Sequence, residues 1–215
     1  MYSLIVDVLK KSKLGLLTML LGGKDKKGSL FIVSAPAGTG KTTLVNLLVH
    51  EFPTVIASIS YTTRAPRLSE VNGKDYYFIT ESEFEAKIAA ADFLEYVKLY
   101  DTYYGTSRKW VEIQRQLGLH VILVIDTQGA LQLQKLCEAT FIFIRPPSLD
   151  ELKNRLINRQ TESLEMIEKR LACAERELKA AQYYDYEIIN DDLQEAYQVL
   201  RSILIAEYHR ISKKL

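Results

Sequence analysis

An excess of positive or negative charge is missing from this chain of 215 residues, in which 28 Lys and Arg stand against 27 Asp and Glu for a formal net charge of +1. No overall field for nucleic acid or for a membrane surface follows from such a balance, so any anion site has to come from local clustering. Cysteine is nearly absent. Cys137 and Cys173 sit in apolar or helical contexts without metal-ligand spacing, which argues against a disulfide framework and a zinc site and suits a reduced, cytoplasmic protein with buried thiols. The uncharged run from Leu14 to Gly23 is too short to span a bilayer and no convincing signal cleavage site follows it, so integral membrane association is not expected. Repeats and low-complexity stretches are lacking too. What remains is a 47% hydrophobic composition, enough to bury a full core in one domain of α/β size.

The least typical segment is the first. Met1 to Gly23 carries Leu4, Ile5, Val8, Leu9, Leu14, Leu16, Leu17, Met19, Leu20 and Leu21, interrupted by Lys10, Lys11 and Lys13, and a turn-like stretch from Gly22 to Gly28 follows. This reads as an appended helix on a flexible joint, residues 1–27, ahead of a domain at 28–215. It serves a membrane surface or a partner, or packs on the domain as an extension of little function.

From Ser29 onward strands and helices alternate, which predicts a parallel sheet with crossover helices. The strands Leu30 to Ser34, His120 to Asp126 and Ala139 to Ile144 are apolar runs of the kind buried on both faces. Between Ala57 and Phe78 the pattern turns Ser-, Thr- and Tyr-rich around Asn72-Gly73, as for a small β-rich insertion containing a hairpin that grips a second substrate. Helices are expected at Ser82 to Ala91, Arg108 to Leu117, Gln128 to Leu136, Ser148 to Asn158, Leu164 to Tyr183 and from Leu193 onward.

Chemistry enters at Ser34-Ala35-Pro36-Ala37-Gly38-Thr39-Gly40-Lys41-Thr42-Thr43-Leu44. An apolar strand, a turn of small residues, Lys-Thr and a helix make a nucleotide-phosphate cradle. The turn wraps a triphosphate so that backbone N–H groups and the positive helix end face its oxygens. Residues Ala35 to Thr43 are the ATP-binding candidates, with Lys41 reaching the β- and γ-phosphates and Thr42 offering a hydroxyl to Mg²⁺. Ala35 stands where the pattern has Gly, and because Ala resists positive φ the loop's entry is expected to be tight.

A second constellation runs from Ser60-Tyr61-Thr62-Thr63-Arg64-Ala65-Pro66-Arg67 through Glu70-Val71-Asn72-Gly73-Lys74-Asp75-Tyr76-Tyr77-Phe78. Arg supplies a planar fork for phosphate oxygens and Tyr hydroxyls add hydrogen bonds at low entropic cost. A surface loop with incidental charge would have the same composition. With Phe93-Leu94-Glu95, Tyr103-Tyr104-Gly105, Ile125-Asp126-Thr127-Gln128-Gly129, Pro146-Pro147-Ser148 and Asn190-Asp191-Asp192 in order after it, the chain from about Ser29 to Glu207 resembles the guanylate kinase family.

The resemblance implies a P-loop nucleoside monophosphate kinase fold with a GMP-binding insertion at about 60–107 and a helical lid at about 153–172. It implies transfer of the ATP γ-phosphoryl group to GMP, and acceptance of dGMP, with Mg²⁺, by a monomer or homodimer. Arg64, Arg67, Tyr76 and Tyr104 fall to the GMP phosphate, Ser60 and Glu95 to guanine, and Glu70, Gly105, Thr106 and Asp126 to the same pocket. Guanine offers N1–H and the N2 amine as adjacent donors, and one carboxylate accepts from both, so a wrong base leaves a buried carboxylate unpaired. Asp126 is assigned to the Mg²⁺-water shell, to GMP, or to both. Lys41, Arg155, Arg159 and Arg170 are the catalytic set, the arginines closing over the triphosphate. Asn190 and Asp191 border the ATP base or ribose, or cap the next helix. Arg145 is unassigned. Val124 replaces an acid frequent in the family, leaving less charge near the metal, and Ser69 replaces a common Gly. The rivals are a guanylate-kinase-like scaffold module that binds phosphorylated partners, which the intact Gly40, Lys41 and Thr42 disfavour, and a kinase of another small phosphate acceptor.

Overall fold

In the computed structural model, which describes residues 27–99, 101–158 and 164–211, five apolar strands are laid side by side. They are β1 (Leu30–Ser34), β2 (Val55–Ala57), β7 (His120–Val124), β8 (Thr140–Arg145) and β9 (Tyr186–Ile189), in the order β2-β7-β1-β8-β9 with every pair parallel. Parallel neighbours need crossovers, and helices therefore cover both faces. All five residues of β1 are buried, and their alternation feeds two cores. Phe31 and Val33 point toward α1 (Lys41–Glu51) and α7 (Leu193–Tyr208), packing with Leu44, Leu48, Tyr197 and Leu200. Leu30 and Ile32 point the other way, joining Val111 of α3 (Arg108–Gln116) and Leu133 of α4 (Thr127–Leu133). The expected α/β fold is present.

Two additions sit on this sheet. Between β8 and β9 the helices α5 (Leu149–Asn158) and α6 (Leu164–Ala180) share a small core of Leu152, Leu156, Ile167 and Ala174. The other is a four-stranded sheet of β3 (Tyr61–Thr62), β4 (Tyr77–Phe78), β5 (Phe93–Leu99) and β6 (Thr102–Ser107), ordered β4-β3-β6-β5. Its packing is aromatic: Phe84 of α2 (Glu81–Ala89) stacks on Phe93 at 4.3 Å and Tyr103 at 5.0 Å between centroids. A capping box of Thr80 and Glu83 starts α2.

The hairpin expected at Asn72-Gly73 is not there. Gly73 does turn, with φ +77, but the turn closes on itself: its N–H donates to Tyr76 O at 2.8 Å and the Val71 N–H to Asp75 Oδ2 at 2.8 Å. The strands on either side, β3 and β4, pair in parallel, and the antiparallel pair of the insertion is β5–β6. Other boundaries move by a few residues for local reasons. The β7 strand stops at Val124 because the Asp126 side chain caps α4, and the helix from Leu164 passes into a 3₁₀ turn at Ala181–Tyr183. The expected helix within Met1 to Gly23, and Arg159, lie outside the described residues. Among the described residues no helix is long and apolar enough to cross a membrane. Cys137 and Cys173 are unbonded and half-buried rather than buried.

Candidate active site

The β1–α1 turn is closed by its own main chain and by a distant amide. Thr39 is buried, and its hydroxyl and N–H both donate to Pro36 O, at 2.8 and 3.3 Å. The left-handed positions are Gly38 at φ +98 and Gly40 at φ +90. Ala35 is not one of them, so the tight entry expected there does not arise: alanine meets no conformational penalty. Gly40 has a second constraint, since a Cβ on it would meet Asn190 Nδ2 at 2.6 Å. That amide donates to Thr39 O at 2.6 Å and is buried. Helix α1 has no side-chain cap, whereas Thr80, Ser107, Asp126 and Asp192 cap α2, α3, α4 and α7. Its first N–H groups are thus open to an anion. Lys41 Nζ lies on Ala35 O at 2.6 Å, and Thr42 and Thr43 are exposed on the first turn.

The insertion builds its anion site from side chains instead. Both Arg64 guanidinium NH groups are forked onto Glu70, at 2.7 and 2.6 Å, while Glu70 Oε2 also accepts the Arg67 N–H at 2.8 Å. The Arg64 hydrogen bonds hold the Glu70 carboxyl down at about 2, and the same contacts raise Arg64. Tyr76 lies under the guanidinium, 5.0 Å from ring centroid to Cζ, and meets Tyr104 edge-on at 6.0 Å. Three of the four residues expected at the phosphate, Arg64, Tyr76 and Tyr104, therefore form one cluster with Glu70, which spends its oxygens on the Arg64 side chain and the Arg67 N–H and acts by positioning them. Arg67 is exposed at the edge of the loop.

Further along the same sheet is the buried carboxylate. Glu95 is 4% exposed on β5 and takes a 2.7 Å hydrogen bond from the Thr106 hydroxyl on β6. Burial pushes its carboxyl up to about 7, with the Thr106 bond opposing and the charge of Asp126 adding to the rise. Gly105 is buried with Thr106, and Ser60 is half-buried with its carbonyl on the Tyr77 N–H at 2.9 Å. Asp126 joins the two pockets. One of its oxygens accepts the N–H of Gln128 at 2.7 Å and of Gly129 at 2.9 Å. Burial raises its carboxyl, against those bonds and against the nearby charge of Lys41.

Of the three arginines expected in a lid, Arg155 donates to Glu151 at 2.9 Å and to Asn190 O at 2.9 Å, Arg170 lies on α6 where its charge acts on the Glu177 carboxyl, and Arg159 lies outside the described residues. Helix α5 rests on the cradle, because a Cβ on Gly38 would meet Leu156 Cδ2 at 3.0 Å and Leu152 Cδ1 at 3.1 Å. Helix capping falls to Asp192 rather than to Asn190 or Asp191. Arg145, unassigned from sequence, makes an exposed pair with Glu187 at 3.2 Å across β8 and β9.

A family model described as guanylate kinase matches residues 27–207. A guanylate kinase of Protochlamydia amoebophila (strain UWE25) is 98% identical over 197 residues, 92% of this chain and 100% of that protein. The chain belongs to the guanylate kinase family. The guanylate kinase of Chlamydia muridarum (strain MoPn / Nigg) is 50% identical over 184 residues, 85% of this chain and 90% of its own. The crystal structure of guanylate kinase from Anaplasma phagocytophilum matches with a TM-score of 0.72 at 32% identity, over 86% of this chain and 88% of that one.

Within this guanylate kinase framework the oxygen donors near the cradle include the Thr42 hydroxyl and the Asp126 carboxylate. Among the described residues no three His, Cys, Asp or Glu side chains gather as a metal cage. Such sparse, hard donors fit Mg²⁺, which keeps waters and takes few protein oxygens beside substrate phosphates. One residue was missed from sequence. Glu177 lies on α6 seven positions after Arg170, and burial raises its carboxyl to about 7, opposed by the charges of Lys41 and Arg170 and reinforced by Asp126. Its two-turn spacing from Arg170 was the available signal.

Proposed function

We propose that the protein transfers the γ-phosphoryl group of ATP to GMP, giving GDP and ADP. The observation that carries this is the position of Asp126, whose carbonyl accepts from the Ser34 hydroxyl at the end of β1 at 3.4 Å and whose carboxylate accepts the N–H of Gly129, the residue against which Glu95 Oε2 lies. Asp126 thus stands beside both the strand end that leads into the cradle and the buried carboxylate of the insertion. ATP lies along the uncapped start of α1, where Lys41 exchanges its contact with Ala35 O for the β- and γ-phosphates. GMP lies in the insertion with its phosphate on Arg64, Arg67, Tyr76 and Tyr104. Glu95, as a carboxylate, accepts guanine N1–H and N2–H, with Ser60 and Thr106 beside it.

No protein nucleophile is needed. A GMP phosphate oxygen forms the new bond to the γ-phosphorus as the bond to the bridging oxygen of ADP breaks, and the chain supplies alignment and positive charge. Arg155, Arg159 and Arg170 are the arginines that would neutralise charge on the moving group, and closure of the lid keeps water from ATP. Thr42 and Asp126 would hold Mg²⁺, directly or through water. Bound there, Mg²⁺ supplies neutralisation of phosphate charge. Acceptance of dGMP, a monomeric or homodimeric state and a cytoplasmic location, the last resting on the two unbonded thiols, complete the proposal.

Coupled ADP release with Mg²⁺ and, in turn, GMP, AMP, UMP and dTMP tests it. Release with GMP well above the others is expected; equal release with AMP would remove the guanine site, and none with GMP would remove the activity.

A further inference from the structure

Glycine is the poorest helix former apart from proline, yet Gly129 is the third residue of α4 and is buried there. Its backbone is not in the left-handed region, so conformation does not demand it. Nor does crowding by the fold. A Cβ at 129 would meet Glu95 Oε2 at 2.6 Å and Glu95 Cδ at 3.3 Å, while the next neighbour, Ile125 Cδ1, is at an ordinary 3.5 Å. Gly105 is different: a Cβ there would meet Phe84 Cζ at 2.9 Å, Phe93 Cδ1 at 3.0 Å and the Glu95 carbonyl at 3.2 Å, so packing alone explains it. At position 129 the one group in the way is a carboxylate at the end of a side chain.

That carboxylate is held from both sides. Thr106 Oγ1 fixes Oε1 at 2.7 Å, and Oε2 lies where a side chain at 129 would begin. The start of α4 cannot retreat easily, because Asp126 Oδ1 binds the Gly129 N–H at 2.9 Å. We propose that Gly129 is a specificity-determining position: the missing side chain lets the Glu95 carboxylate seat against α4, and that seat sets where its oxygens meet the purine edge. This rests on the assignment of Glu95 to guanine. A methyl group at 129 shifts the oxygens instead of the helix, and hydrogen bonds to N1–H and N2–H weaken steeply with misalignment. The fold tolerates the change, since a flexible side-chain end gives way and alanine suits a helix better. Gly129 thus acts through Glu95 and touches no reacting atom.

The test is a double-mutant cycle in the full chain with Gly129→Ala, Glu95→Gln and both together, reading the melting temperature, the KM for ATP and kcat/KM for GMP and AMP. Gly129→Ala should melt at or above the parent, keep its KM for ATP within about two-fold, and lose about ten-fold in kcat/KM for GMP through KM. In the Glu95→Gln background the same substitution should change kcat/KM for GMP by less than about three-fold. An unchanged KM for GMP in Gly129→Ala, or equal losses in both backgrounds, would overturn the proposal, and a lowered melting temperature with equal losses would make Gly129 a packing residue. If Glu95→Gln alone leaves the preference for GMP over AMP intact, the assignment of Glu95 fails instead.

Discussion

The cradle and the insertion pocket, the two anion sites of the proposed reaction, are made differently. Around Gly38 to Thr43 the donors are main-chain N–H groups, set by two left-handed glycines and a buried amide from Asn190. Around Arg64 and Glu95 the donors and acceptors are side chains from a loop and two strands, held by one another. A main-chain site binds any polyphosphate of suitable length, because its geometry does not depend on a base. A side-chain site can reject, because it contains a carboxylate whose burial is unfavourable until the right donors arrive. Attraction sits in one region and discrimination in the other.

The largest expected effect breaks the cradle alone. Lys41→Ala should lower kcat by on the order of 10³-fold while the Kd for GMP, measured by calorimetry, stays within about two-fold; a parallel loss of GMP binding would mean that the regions are not separate. Glu95→Gln should break the other, reducing the kcat/KM preference for GMP over AMP by about 10- to 100-fold.

The Glu95 carboxyl also fixes a sign with pH. Its value of about 7 lies above the usual 4.5, so the folded protein binds the proton more tightly than the unfolded chain. The resulting loss of stability grows as pH rises from 4.5 through about 7. Glu95→Gln should therefore be more stable than the parent at pH 8, by on the order of 2 kcal/mol, and equal to it at pH 4. Guanine reading needs the carboxylate, so kcat/KM for GMP should fall below pH 7 more steeply in the parent than in Glu95→Gln, where only the GMP phosphate, with a second pKa of about 6, titrates.

A smaller effect sharpens the comparison within the insertion. Glu70→Gln should raise the KM for GMP about ten-fold, because Arg64 loses its two-point hold, and leave the KM for ATP unchanged. The Glu70 carboxyl is held below its usual 4.5, at about 2. The stability it contributes, about 1 kcal/mol after solvent screening, is present above pH 4.5 and lost as pH falls through 2. Urea titrations of the two proteins should converge over that window.

Legibility in the sequence follows the same division. Strands β1, β7 and β8 and the cradle were readable because each is a contiguous run whose residue types answer to local rules. The parallel pairing of β3 with β4 was not, since a Gly turn flanked by tyrosines carries a hairpin signal and the pairing is decided by β6 lying between β3 and β5. The members of the GMP site came from family motifs, but their division of labour did not. Nothing in the order of residues says that Glu70 holds arginines or that Asn190 braces the cradle from 151 positions away. These depend on contacts across the chain, where periodicity is silent.

Transfer itself can be followed with ATP labelled at the γ-phosphorus, mixed with GMP, Mg²⁺ and the purified protein. Label should move into the β-phosphate of GDP, one for each ADP formed. Label that stays in ATP, or appears as inorganic phosphate without GDP, would contradict the account.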